Sequence, residues 1–248
     1  MVRRASGDKK KDLIISVSKS LFYEKGYAAT TFEDISNLAD IPASSIAYHF
    51  SSKRNLAAVI QEEFQRQNKV YMEKLIDDGY SNTVKMALEI MNMWKKYFEN
   101  GHLRRFMLEL DAEHELVNYS YDVVKQFFGY VAAEHGINFE GSESDFATVT
   151  QVGTTQELLV LISNRPAQYS CREVARYSVS TFCKLLGLSP ELVKELIEFV
   201  EEVFPLLPID NRYFESFAYN DEFVHRVDFS KLPEESPALA PLSQCRQQ

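Results

Sequence analysis

The chain has 248 residues, 45% of them hydrophobic and 25% charged, with a formal net charge of −9. That length and apolar share suit a globular protein with a real core and exclude a disordered or low-complexity chain. The longest uninterrupted aliphatic run, Leu158 to Ile162, falls far short of a membrane span.

The charge is unevenly placed. Residues 1–55 hold nine Lys/Arg against six Asp/Glu, or +3, which leaves 18 basic and 30 acidic residues, or −12, in the rest. A basic head on an acidic body implies one end that attracts DNA and one that repels it. Met1 to Gly7 carry charges with no apolar stretch behind them, so no secretory signal is expected. Cys171 and Cys183, placed on one helix, would stand about 18 Å apart at the α-helical rise, too far to bridge. A reducing cytoplasm is the expected compartment.

In chain order, a first helix is expected from about Asp8 to Lys25, stopped by Gly26, with Leu13, Ile14, Val17, Leu21 and Phe22 as its buried stripe. Thr30 or Thr31 can then cap a second, short helix, with Glu33 or Asp34 completing a capping box. Phe32, Ile35, Leu38 and Ala39 fall on one face of it. Asp40-Ile41-Pro42 interrupts the pattern, and Pro42 suits the first position of a third helix. Ile46 and Phe50, four apart, pack inward, which distributes Ala43, Ser44, Ser45, Ala47 and Tyr48 over the other faces. A short helix with a small, polar outer surface, held at an angle by the helix before it, is how a helix-turn-helix reads a major groove.

Ser51 or Ser52 caps a long helix to about Asp78, with Leu56, Ile60, Phe64, Tyr71 and Leu75 on one face. It starts at the head and ends in the second domain, so it is the mechanical link between them. From 83 to 135 the pattern is helical and rich in methionines and aromatics, a composition that fills cores and also makes adaptable walls for apolar ligands. Helices are expected over 143–164 and 170–187, the latter with Val174, Ser178, Phe182 and Leu185 on one face, and from Ser189-Pro190 to Pro205. Tyr213, Phe214, Phe217, Phe223 and Val224 suggest one more short helix, followed by a loose polar tail.

The pieces Leu21-Phe22-Tyr23-Glu24-Lys25-Gly26-Tyr27, Thr30-Thr31, Ile35-Ser36 and Tyr48-His49-Phe50-Ser51-Ser52-Lys53-Arg54-Asn55-Leu56, in that order and spacing, resemble the N-terminal DNA-binding domain of the TetR family of bacterial transcriptional regulators. The family usually has Gly where this chain has Asp40, and an aromatic, most often Tyr, where it has Ala47. The resemblance implies an all-α protein: a three-helix helix-turn-helix domain over 1–55, a helical effector-binding and dimerisation domain over 56–228, and a tail over 229–248. It implies that Thr31, Tyr48, His49 and Lys53 grip phosphates while Ala43, Ser44, Ser45 and Ala47 face base edges. It further implies a homodimer through the helices 143–164 and 170–187, with Val174, Ser178, Phe182 and Leu185 at the interface. The expected partners are a palindromic DNA operator, a second copy of the chain, and a small apolar or aromatic effector lined by Met91, Trp94, Phe98, Met107, Phe127 and Tyr130.

Asp111 and His114 lie one helical turn apart, but helical metal sites need several such pairs with Glu at the first position, and the acidic run reads as a solvated face. Phosphate-loop, Gly-x-Ser-x-Gly and His-Glu-x-x-His patterns are absent from the sequence. No metal, cofactor or catalytic group is expected. The leading expectation is a ligand-responsive transcriptional repressor. An all-α enzyme or small-molecule-binding protein without DNA affinity, and a helical scaffold, are the alternatives.

Overall fold

The computed structural model describes residues 2–75, 79–112 and 117–206. The helix expected around Tyr213, Phe214, Phe217, Phe223 and Val224, the tail 229–248 and His114 lie outside the described residues. Among the described residues ten α-helices follow one another: α1 Val2–Glu24, α2 Phe32–Ala39, α3 Ala43–Phe50, α4 Lys53–Leu75, α5 Asn82–Glu99, α6 Gly101–Asp111, α7 Val117–His135, α8 Glu143–Asn164, α9 Cys171–Leu185 and α10 Pro190–Val203. Among the described residues there is no strand.

Local chemistry sets the helix ends. Thr31 and Asp34 form the capping box of α2, and Ser170 and Glu173 that of α9. Ser52, rather than Ser51, caps α4 by accepting the Asn55 N–H. Ser189 caps α10 with Pro190 in the first turn. Two boundaries differ from expectation. Helix α1 starts at Val2 instead of near Asp8, and Pro42 is the N-cap of α3 rather than its first helical residue.

The chain divides into two compact units. The first contains α1, α2, α3, the start of α4, and α6. Its core is Ile14, Phe22, Ile35, Ile46, Phe50, Leu56, Ile60 and Phe106, all nearly or fully buried. Helix α6, which the sequence assigned to the second domain with a boundary at residue 55, belongs here. The reason is its apolar stripe Leu103, Phe106, Met107 and Leu110, with Phe106 stacked on Phe22 of α1 at 6.0 Å. Leu13 and Leu38, expected in the core, are 45% and 60% exposed, because Ile14, Phe22, Ile35 and Ala39 already define the inward faces of α1 and α2.

The second unit contains the end of α4, α5, and α7 through α10. Helix α5 packs on α7, α9 and α10, and α8 packs on α7 and α9. Trp94, Met91, Phe128, Val131, Phe182, Leu196 and Val200 form the core, with Phe128 stacked on Phe182 at a centroid distance of 4.1 Å. At the start of α5 the Glu134 carboxylate accepts the N–H groups of Asn82 and Thr83 and the Thr83 hydroxyl, so α7 supplies an anion where helix α5 has its positive end.

Candidate nucleic-acid interface

Helices α2 and α3 are joined by a turn whose conformation is set at Asp40. Its φ of 52° and ψ of 43° are left-handed, the conformation for which a glycine is the usual choice and which Asp tolerates better than most residues. The Asp40 and Ile41 N–H groups both donate to the Ser36 carbonyl, closing α2 and turning the chain into α3. The departure from glycine therefore leaves a tight left-handed turn in place.

Ile46 and Phe50 anchor α3, buried at 0% and 4% exposure, while Ile41 seals the turn at 6%. Ala43, Ser44, Ala47 and Tyr48 are exposed, Tyr48 at 84%, and Ser45 and His49 are half-buried. The expected base-facing and phosphate-facing residues of α3 are thus on the solvent side. No side chain caps α3, whose first hydrogen bonds return from Ser45 and Ile46 to the Pro42 carbonyl. Lys11 of α1 stands 5.9 Å from the Phe50 ring, an exposed cation beside the last residue of α3. In the sequence this lysine is one charge of the basic head with no place assigned to it. Its spacing of three from Ile14, a core residue, was the available signal.

Two expected phosphate contacts are committed elsewhere. The Thr31 hydroxyl donates to Asp34 Oδ2 at 2.7 Å and accepts the Asp34 N–H at 3.1 Å, so both its roles are used in the cap. Those bonds and the ammonium of Lys25, 2.8 Å from Asp34, hold the Asp34 carboxyl down at about 2, the Lys25 contact contributing most. Lys53 points its ammonium at the α1–α2 loop, donating to the carbonyls of Tyr27 at 2.8 Å, Thr30 at 2.9 Å and Ala28 at 3.4 Å. It also lies over the Tyr27 ring, 4.4 Å from the centroid. An ammonium has three protons, and here three carbonyls face them. In this structure Lys53 pins the loop to the start of α4 instead of extending to solvent.

Residues 14–60 match the family model for bacterial regulatory proteins of the tetR family. This segment is similar to the TetR-family helix-turn-helix. Within this TetR-type head, 46 residues are 46% identical to the biofilm operon icaADBC HTH-type negative transcriptional regulator IcaR of Staphylococcus aureus strain Newman, over 18% of this chain and 25% of that protein. The Staphylococcus epidermidis regulator of the same name is 35% identical over 71 residues, 29% of this chain and 38% of the relative. The matches thus span from a quarter to under two-fifths of these relatives. A solved structure of the SmeT–triclosan complex shares the fold, with a TM-score of 0.50 over 71% of this chain and 90% of that one, at 16% identity.

Beyond the TetR-type head, the structure separates residues that the sequence grouped. Of the expected effector wall, Met91 and Trp94 are fully buried, and Phe98 and Phe127 are half-buried, all in the second unit. Tyr130 is 51% exposed, because Phe128 and Val131 take the inward face of α7 and turn it outward. Met107 lies on α6 in the other unit. The Trp94 indole N–H is buried without a hydrogen-bond partner.

The expected dimer face needs correction too. Val174, Ser178 and Phe182 are 4%, 0% and 1% exposed within the single chain, Ser178 facing the Gln151 amide of α8 at 3.2 Å and Phe182 stacked on Phe128. Side chains without surface cannot meet a second copy. Leu185 is half-buried. What α8 and α9 present to solvent is Phe146, Val149 and Val160, at 69%, 59% and 37% exposure, and Tyr177 at 57%.

Proposed function

We propose that the chain is a DNA-binding transcriptional regulator, a repressor that binds a palindromic operator in the cytoplasm as a homodimer and releases it when a small apolar or aromatic molecule binds. The observation that carries this reading is α3: buried by Ile46 and Phe50 on one side, it offers Ala43, Ser44, Ala47 and Tyr48 to solvent within a segment matched to the TetR family. The exposed groups are methyls, hydroxyls and one phenol. Thymine methyl contacts and DNA shape therefore carry sequence preference, in the absence of an Arg, Asn or Gln on α3 for bidentate base contacts. The negative regulation named for the IcaR relatives favours a repressor, by way of the head they share with this chain.

Dimerisation is supported by the second apolar side of α8. Ala147, Val152, Leu159 and Ile162 are buried within the chain, while Phe146, Val149 and Val160 remain exposed on the other side. Apolar residues at helical spacing on the wet face of a helix mark a surface that has a partner. A second copy is the occupant a single eight-residue recognition helix requires, since twofold repetition is what lengthens the site. The effector reading is supported by Met91 and the unpartnered Trp94 indole in the core of the second unit, and by the ligand in the SmeT–triclosan complex of the same fold.

The test is fluorescence anisotropy with a labelled palindromic duplex selected from the DNA upstream of the protein's own coding sequence, across a salt series. The expected result is sequence-preferring binding whose logarithmic affinity falls linearly with the logarithm of salt. Equal affinity for the palindrome and a scrambled duplex at every salt concentration would overturn the proposal.

A further inference from the structure

We infer that Glu109 of α6 is a positioning residue for operator binding, acting through the α1–α2 loop with Arg105 and His102 beside it; the inference rests on the DNA-binding reading above. The contacts converge on one short stretch of backbone. The Arg105 guanidinium donates from Nη2 to the carbonyls of Tyr23 at 2.7 Å and Glu24 at 3.0 Å. His102 Nδ1 lies 2.8 Å from the same Tyr23 carbonyl and therefore donates to it, with its ring stacked on Tyr23 at 4.7 Å. These are the orphan carbonyls at the end of α1, and a cation there is favoured by the helix dipole as well as by the hydrogen bonds. One turn along α6 from Arg105, Glu109 Oε2 accepts the Ala28 N–H at 2.9 Å.

Gly26 makes the approach possible. Its φ of +102° is a glycine conformation, and an added Cβ would stand 3.2 and 3.3 Å from the two Glu109 oxygens. The loop is held from a second direction by Lys53, at the carbonyls of Tyr27, Ala28 and Thr30. Ala28 thus has its N–H fixed by α6 and its carbonyl faced by α4, three residues before Thr31, the N-cap that sets where α2 begins. Since α2 and the Asp40 turn orient α3, the carboxylate of Glu109 sets the pose of the recognition helix without facing DNA itself.

The sign of a charge change separates this role from simple electrostatics. Glu109 is an anion in the DNA-binding unit, so on charge alone its removal strengthens binding to a polyanion. The positioning role has the opposite sign. Glu109→Ala is expected to weaken operator binding about tenfold, the scale of one lost charge-assisted hydrogen bond, at an unchanged salt slope. Glu109→Gln keeps an oxygen that accepts the Ala28 N–H and is expected to bind at least as tightly as wild type. Hydrogen exchange at the Ala28 amide is expected to be slow in wild type and Glu109→Gln and fast in Glu109→Ala. If Glu109→Ala binds as tightly as wild type or tighter, the inference is wrong. An Ala28 amide in the wild-type protein that exchanges at the rate of an open loop overturns it equally, even where Glu109→Ala does not fold. Wild-type protein that prefers no duplex overturns the DNA-binding reading instead, and this inference with it.

Discussion

At the scale of single residues, the head is held by polar groups that its sequence shows but does not assign. Lys53 is the clearest case. Its place in the motif pointed to a phosphate, and a lysine at the start of a helix beside a recognition helix has that reach. Neither composition nor spacing could reveal that three loop carbonyls are turned toward its ammonium, because those carbonyls belong to every residue type alike. Lys53→Ala is expected to lower the stability of the head by roughly 1–3 kcal/mol, the range for hydrogen bonds to a charged group, reduced toward the lower end by its partial exposure. Operator affinity should fall with it, while the slope against salt stays at the wild-type value. A slope smaller by about one unit, with unchanged stability, would mean that the lysine leaves the loop and binds a phosphate. The Thr31–Asp34 cap was more legible, because a Thr with an acid three residues on predicts a box by a local rule that needs no tertiary knowledge. The left-handed turn at Asp40 was not, since the sequence shows only that Asp stands there.

At the scale of helices, existence was readable and facing was not. Helix α8 begins at Glu143 and ends at Asn164, two residues before Pro166, although Ser142 makes no side-chain cap hydrogen bond. Helix α9 carries Val174, Ser178 and Phe182 on one face as periodicity required. Periodicity, however, reports only that a face is apolar, not whether the same chain or another covers it. Phe182 met Phe128 of its own chain, and the surface left over is the stripe of Phe146, Val149, Val160 and Tyr177. The two sets give opposite phenotypes. Phe182→Ala is expected to destabilise the second unit by about 3–5 kcal/mol, as for other buried phenylalanines. Phe146→Glu combined with Tyr177→Glu should leave helicity and unfolding midpoint near wild type while sedimentation velocity at micromolar concentration shows a monomer with weakened operator binding. A double variant that still sediments as a dimer would place the interface elsewhere.

At the scale of the whole chain, α4 belongs to both units: Leu56 and Ile60 are in the core of the first, Tyr71 and Met72 in that of the second, along one uninterrupted helix. The second unit holds the chain's only tryptophan, fully buried, edge-on to Tyr97 at 5.8 Å and with its indole N–H unpaired. A buried donor without a partner is costly, and a ligand carbonyl, ether or phenol oxygen would relieve that cost while its apolar body met Met91. Titration with a panel of apolar aromatic compounds carrying one oxygen acceptor is expected to change Trp94 fluorescence for those that bind, and the same compounds should weaken operator binding. A tenfold loss of operator affinity corresponds to a coupling of about 1.4 kcal/mol, and operator DNA must then weaken the compound tenfold in return. Replacing Trp94 with Phe keeps the aromatic bulk and removes the donor, so it should cost binding of the oxygen-bearing compounds more than that of their hydrocarbon counterparts, read out by calorimetry. Compounds that perturb Trp94 at every concentration while operator affinity stays fixed would show a core that binds ligands without passing them on to DNA.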